Sequence, residues 1–141
     1  MRFRTMLAAM TLMFVPLVAQ AQFKDLDVAM SNLTRGFGSG DAQAIVSGIG
    51  EGDQVRLQFP GLIEQNGNIY GRDQAAYLLD GLFNKVKPSG FERVSAKGAR
   101  ADKQYHIKAR WSTGAGDRDL YITLQQQKDE RYTIVSIRSA G

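Results

Sequence analysis

Tyr105-His106-Ile107-Lys108-Ala109-Arg110-Trp111 and, beyond a short polar turn, Arg118-Asp119-Leu120-Tyr121-Ile122-Thr123-Leu124 are the stretch whose reading decides the fold. Side chains alternate in both segments, which is the period of a strand with one covered face. Setting Trp111 opposite Arg118 brings Ala109 opposite Leu120, Ile107 opposite Ile122 and Tyr105 opposite Leu124. A turn at Asp129-Glu130 then brings Leu124 opposite Val135 and Ile122 opposite Ile137. One register gathers nearly all the apolar residues on one face, and a one-residue slip would expose them. That face needs a cover.

The cover lies upstream. Phe23, Leu26, Met30, Leu33 and Phe37 recur at spacings of three and four, so the spacing predicts an amphipathic helix over Lys24 to Arg35. Gly36-Phe37-Gly38-Ser39-Gly40 reads as its stop, and Asp41 as the cap of a short second helix carrying Ile45, Val46 and Ile49. Gly48, Gly50 and Gly52 end that helix. Val55 to Phe59 alternates as a strand before Pro60-Gly61, and Asn66-Gly67 is a hairpin signal leading into Asn68-Ile69-Tyr70. Ala75, Leu78, Leu79, Leu82 and Phe83 stripe a third helix from about Arg72 to Lys85, which Pro88-Ser89-Gly90 stops. Phe91–Lys97, Tyr105–Thr113, Arg118–Gln127 and Arg131–Ser139 read as four successive strands. The expected class is α+β: three helices, all from the N-terminal half, packed on one side of a curved, mostly antiparallel sheet.

The first residues carry a different message. Arg2 and Arg4 precede a mostly apolar run from Met6 to Val18, and Ala19-Gln20-Ala21 follows. That order reads as a secretory signal peptide over residues 1–21, leaving a single domain over residues 22–141. The run is shorter than the roughly 20 residues a membrane span needs. A domain of this length can bury roughly two-thirds of its unfolded surface without staples, and the chain has 0 cysteines. Disulfides, thiol catalysis and a thiolate metal site are excluded, as is the cysteine that anchors bacterial lipoproteins. The expected product is soluble, in a periplasm or outside the cell, with no membrane anchor after cleavage. The whole chain is formally +4 with a pI of about 9.5, and losing the two arginines of the leader brings it to +2. So ordinary a charge argues against a nucleic-acid partner.

The succession of helix, short helix, strand pair, helix and long strands resembles the nuclear transport factor 2-like (NTF2-like) cone, which is shared with ketosteroid isomerases and many binding domains. More narrowly, four segments resemble domain-of-unknown-function family 4783, small secreted bacterial proteins. They are Gly40-Asp41-Ala42-Gln43-Ala44, Tyr70-Gly71-Arg72-Asp73-Gln74-Ala75, Leu82-Phe83-Asn84-Lys85, and Leu120-Tyr121-Ile122-Thr123-Leu124 with Tyr132-Thr133-Ile134-Val135-Ser136-Ile137-Arg138. The resemblance covers the mature domain and implies the cystatin-like cone fold, with no activity to carry over. Two residues depart from the pattern: Gly71 stands where a Ser or Thr cap is usual, and Glu130 where a hairpin favours Gly.

Chemistry is sparse. His106 is the only histidine, and the register places it on the outer face opposite Thr123, without an orienting carboxylate. No metal site is expected, because no carboxylate cluster replaces the missing His and Cys ligands. Gly36-x-Gly38-x-Gly40 and Gly48-x-Gly50-x-Gly52 lack the strand and the third-glycine spacing of a dinucleotide loop, Asp41 and Asp53 standing at that position. No cofactor is implied. An isomerase of the cone type needs a pocket base and oxyanion donors. Tyr70, Tyr77 and Tyr105 could donate, but Asp41, Asp53, Asp102, Asp117 and Asp129 fall at turns and helix surfaces.

Two binding sites remain as expectations. Trp111 ends its strand on the helix-facing side, so Trp111, Tyr70 and Tyr77 could wall a ligand pocket at the mouth of the cone, or simply fill its core. On the outer face Lys108, Tyr121 and Arg138 line up, with Arg110 opposite Asp119 and His106, Thr123 and Ser136 in the adjacent row. Ile134 and Tyr132 are expected on the same side. Such a face suits an anionic glycan or a two-fold homodimer, or is an ordinary wetted sheet. The leading expectation is an exported non-catalytic domain that binds a small molecule or a protein partner. The alternatives are a cofactor-free isomerase or hydrolase, and an interaction module with a filled cone acting through its outer face.

Overall fold

The computed structural model describes residues 23–63, 68–99 and 103–140. The leader of residues 1–21, the hairpin signal Asn66-Gly67 and Asp102 lie outside the described residues. Three helices, α1 (Leu26–Ser39), α2 (Ala42–Val46) and α3 (Arg72–Val86), accompany six strands. The strands are β1 (Gln54–Gln58), β2 (Ile69–Gly71), β3 (Pro88–Ala99), β4 (Gln104–Thr113), β5 (Gly116–Gln126) and β6 (Tyr132–Ser139). They form one open sheet in the order β2-β1-β6-β5-β4-β3, in which only β1 and β6 run parallel.

Helix α1 begins where Asp25 accepts a hydrogen bond from the Val28 amide at 2.8 Å, a side-chain cap for a donor the helix cannot satisfy itself. It does not stop at Gly36. The helix runs on to Ser39 and ends at Gly40, whose φ of +77° allows its amide to close on the Gly36 carbonyl. Gly36 is there for packing: a Cβ on it would stand 2.3 Å from Cγ1 of Ile45, so its bareness lets α2 lie against α1. Asp41 caps α2 as expected, accepting from the Ala44 amide at 3.3 Å. Helix α3 starts at Gly71 with no side-chain cap and ends at Lys87, in the left-handed region at φ +53°. Pro88-Ser89-Gly90 therefore opens β3 instead of forming a stop; a strand's first residue is a position that tolerates proline.

The β4–β5 register is the one the alternation dictates, from Trp111 opposite Arg118 to Tyr105 opposite Leu124. Between β5 and β6 Ile122 faces Ile137, but a bulge then shifts the ladder and Leu124 faces Ile134, not Val135. The extra residue is Val135. It turns Ile134 inward, fully buried, and Tyr132 packs against the core, so neither supplies apolar surface to the outer face. The apolar faces of α1, α2 and α3 meet the inner face of the sheet in one core that includes Leu33, Phe37, Ile45, Leu57, Leu79, Trp111 and Leu120. Phe23 closes one end, exchanging backbone hydrogen bonds with Tyr132 at 3.1 and 2.8 Å. Its ring lies so near Gly48 that a Cβ there would approach it to 2.2 Å.

Candidate functional site

Interior and exterior offer opposite prospects. Trp111 sits near the end of β4 with no exposed surface. Its ring meets Phe37 edge-on with centroids 5.4 Å apart, and Phe59 and Phe83 each at 6.1 Å. Its Nε1–H donates to the Phe37 carbonyl oxygen at 2.8 Å, so the one polar atom of the indole is satisfied without a ligand. Tyr70, in β2, is buried in the same core, whereas Tyr77 lies on the outer side of α3 and is 79% exposed. The structure thus brings Tyr70 and Trp111 into the core and leaves Tyr77 outside it. Tyr77 edges a surface groove between α3 and the residues after β1, lined by Leu62, Ile63, Leu78 and Leu82.

Four carboxylates serve helix caps and ion pairs. Asp25 and Asp41 cap helices, and Asp41, Asp119 and Asp129 pair with Arg35, Arg110 and Arg131 at 3.5, 3.8 and 3.5 Å. Among the described residues the buried polar side chains are Thr133 and Ser139, with no carboxylate, and no three His, Asp or Glu converge as a metal would require. The glycine runs serve backbone approach. The Gly50 amide donates to Thr133 Oγ1 at 3.2 Å, and the Ile134 amide to the Gly48 carbonyl at 2.8 Å.

The outer face of the sheet is where side chains of one kind gather. Two rows cross the strands. One runs Ser95–Lys108–Tyr121–Arg138–Gln58, the other Lys97–His106–Thr123–Ser136–Arg56. The Arg138 guanidinium lies over the Tyr121 ring at 4.3 Å and the Lys108 ammonium at 5.9 Å. His106 Nδ1 and Thr123 Oγ1 are 3.2 Å apart. His106, Lys108, Tyr121 and Arg138 line one depression of about 320 Å³ with Ser95, Lys97, Thr123 and Ser136. Arg110 lies one row away, tied to Asp119, on a separate depression with Asp117 and Arg118.

Lys97, Ser95 and Arg56 are members of this face that the sequence reading missed. Phe91 and Arg93 occupy inward register positions opposite Trp111 and Ala109. A bulge at Val94 reverses the alternation, so that Ser95 and Lys97 stand on the outer side. Arg56 reaches the face because β1 joins β6 in parallel, a contact between distant segments with no local signal.

Comparison with known proteins agrees with this architecture. Residues 30–139 match the family described as Domain of unknown function (DUF4783). A DUF4783 protein from Bacteroides ovatus superposes with a TM-score of 0.66 at 21% identity, over 77% of this chain and 90% of that one. An NTF2-like protein from Silicibacter pomeroyi gives 0.55 at 12% identity, over 82% and 91%. A protein from Catenulispora acidiphila with a ketosteroid isomerase-like fold, in complex with trimethylamine, gives 0.58 at 12% identity, over 84% and 87%. No curated protein matches the sequence. The fold is the NTF2-like one, helices on one face of an open, curved, mixed sheet.

Proposed function

The chain belongs to the DUF4783 family, and from a family without an assigned activity, a filled interior and a charged sheet face we propose an exported, non-catalytic binding module. It holds its partner on the outer face of the sheet. The observation that carries this reading is the state of Trp111. An NTF2-like domain that binds inside its cone needs open space behind the sheet, and here three phenyl rings and a satisfied indole occupy that position. Arginines and lysines on two neighbouring rows then form the surface with the strongest chemical character. Export follows from the leader's pattern, and no helix among the described residues is long and apolar enough to cross a membrane.

A two-fold contact with a second copy would use the same face. The depression carries Lys97, Lys108 and Arg138 and no carboxylate, so an isologous contact centred on it would set cation against cation. Charge therefore favours a different partner.

Native mass spectrometry of protein purified from its natural compartment tests the reading. The wild type is expected to retain a partner or ligand that Tyr121→Glu loses, while Tyr77→Glu keeps it. Loss from Tyr77→Glu alone would move the site to the groove beside α3 and overturn the assignment.

A further inference from the structure

Building on that outer-face reading, we infer that the ligand is an acidic polysaccharide, a chain of sugars carrying carboxylates or sulfates, laid across the strands. Charge on this face is sorted by row, not scattered. The two central rows hold Lys97, Lys108, Arg138, Arg56 and His106 and no acidic residue. One flanking row, Glu92–Arg110–Asp119, sets two carboxylates against one guanidinium, which Asp119 holds. On the other side Gln104 donates to Gln125 at 3.2 Å, a neutral pair. The result is a cationic band with defined edges, running perpendicular to the strands.

Arg138 supplies the recognition group. Arg35, Arg110 and Arg131 are each engaged in an ion pair, whereas the Arg138 guanidinium lies over the Tyr121 ring at 4.3 Å. A guanidinium held over a ring keeps its N–H donors for an external anion of planar or forked geometry, such as a carboxylate or sulfate. Lys108, on the same ring, adds a point charge.

The remaining residues select among polyanions. Ser95, Thr123 and Ser136 interleave hydroxyls with the cations, giving a ligand's own hydroxyls partners between its charges. That pattern suits a sugar better than an acidic peptide, which would more naturally add to a strand edge. Single-stranded nucleic acid prefers open aromatic faces for stacking, and Arg138 already covers a face of Tyr121. Strands lie about 4.8 Å apart, close to the length of one pyranose unit. The band from β3 to β1 therefore spans about 19 Å, or four sugar steps.

Titration of the full chain with polygalacturonate tests this, with dextran, polyglutamate, single-stranded oligonucleotide and inorganic phosphate in parallel. Polygalacturonate is expected to bind, dextran not, with affinity falling as salt rises. Arg138→Gln should weaken binding about tenfold or more, with the far-ultraviolet circular dichroism spectrum unchanged, and Lys128→Gln, in the β5–β6 turn, should not weaken it. Equal affinity of Arg138→Gln and wild type would overturn the inference, as would tighter binding of polyglutamate, oligonucleotide or free phosphate. If polygalacturonate fails to bind while Tyr121→Glu still loses its native partner, the ligand class falls and the outer face stands. Retention of that partner by Tyr121→Glu overturns both.

Discussion

The indole Nε1–H of Trp111 donates to the backbone carbonyl oxygen of Phe37 across 2.8 Å, tying strand β4 to helix α1 in the interior of the cone. This bond explains why the helix persists past Gly36: Phe37 must remain helical for its side chain to meet Trp111 and for its carbonyl to meet the indole. Replacing the indole by phenyl leaves the carbonyl's extra partner missing and opens a small cavity. Trp111→Phe is expected to cost about 2–4 kcal/mol, read as a lower urea midpoint by circular dichroism. Since Trp111 is the only tryptophan of the chain, the wild type should emit at the blue wavelengths of a buried indole. A red, solvent-like emission in the native state would show the ring facing an open pocket.

Sequence alternation carried the register of β4 and β5 completely and that of β5 and β6 only halfway. Period two is a local signal, and burying one face penalises any slip, so Ile107 against Ile122 could be read directly. A bulge inserts one residue without altering composition, and Val135 looks as good an inward residue as Ile134. The structure makes Ile134 fully buried and Val135 half-buried. Ile134→Ala should therefore cost about 2–5 kcal/mol, and Val135→Ala under about 1 kcal/mol. Chemical denaturation of the two variants checks the order; equal losses would mean that the ladder runs without the bulge.

Glycine in a helix was legible as a breaker and not as a contact, because the partner of Gly36 is Ile45, on another helix. Gly81, in the middle of α3, is exposed and a Cβ there would meet nothing within 4 Å. The same substitution should have opposite signs at the two sites. Gly81→Ala should stabilise by about 1 kcal/mol through helix propensity, whereas Gly36→Ala should destabilise by about 1–3 kcal/mol because α2 must move. Paired urea titrations read both signs, and stabilisation by Gly36→Ala would show that α2 can shift freely.

Gly71 is a weakness visible at both levels. It occupies the N-cap of α3 with φ −71° and ψ 174° and makes no side-chain hydrogen bond to the first turn. A Cβ there would meet nothing within 4 Å. Gly71→Ser adds a side-chain acceptor at the N-cap of that turn and restricts the unfolded chain, for an expected gain of about 0.5–1 kcal/mol. The shift in urea midpoint should come with an unchanged slope. No gain would indicate that the amides of that turn already have partners.

The candidate site was half legible: β4, β5 and β6 could be registered from sequence, while Lys97 and Arg56 reached the band through a bulge and a long-range parallel pairing. What bounds the band is as informative as what fills it. Asp119 holds Arg110 at 3.8 Å, and both are substantially solvent-accessible, so the pair adds little to stability while withdrawing a cation from the face. Asp119→Asn keeps the side chain's shape and removes the charge. Arg110 would then extend the cationic surface by one row, towards the end of β4 where Trp111 anchors the strand. The expected outcome is polygalacturonate binding about two- to fivefold tighter at low salt, with folding stability little changed. The gain should fade as salt rises, because exposed charges are screened over about 10 Å at 0.1 M. Weaker binding by Asp119→Asn would mean that the carboxylate itself contacts the ligand, which a polyanion does not permit.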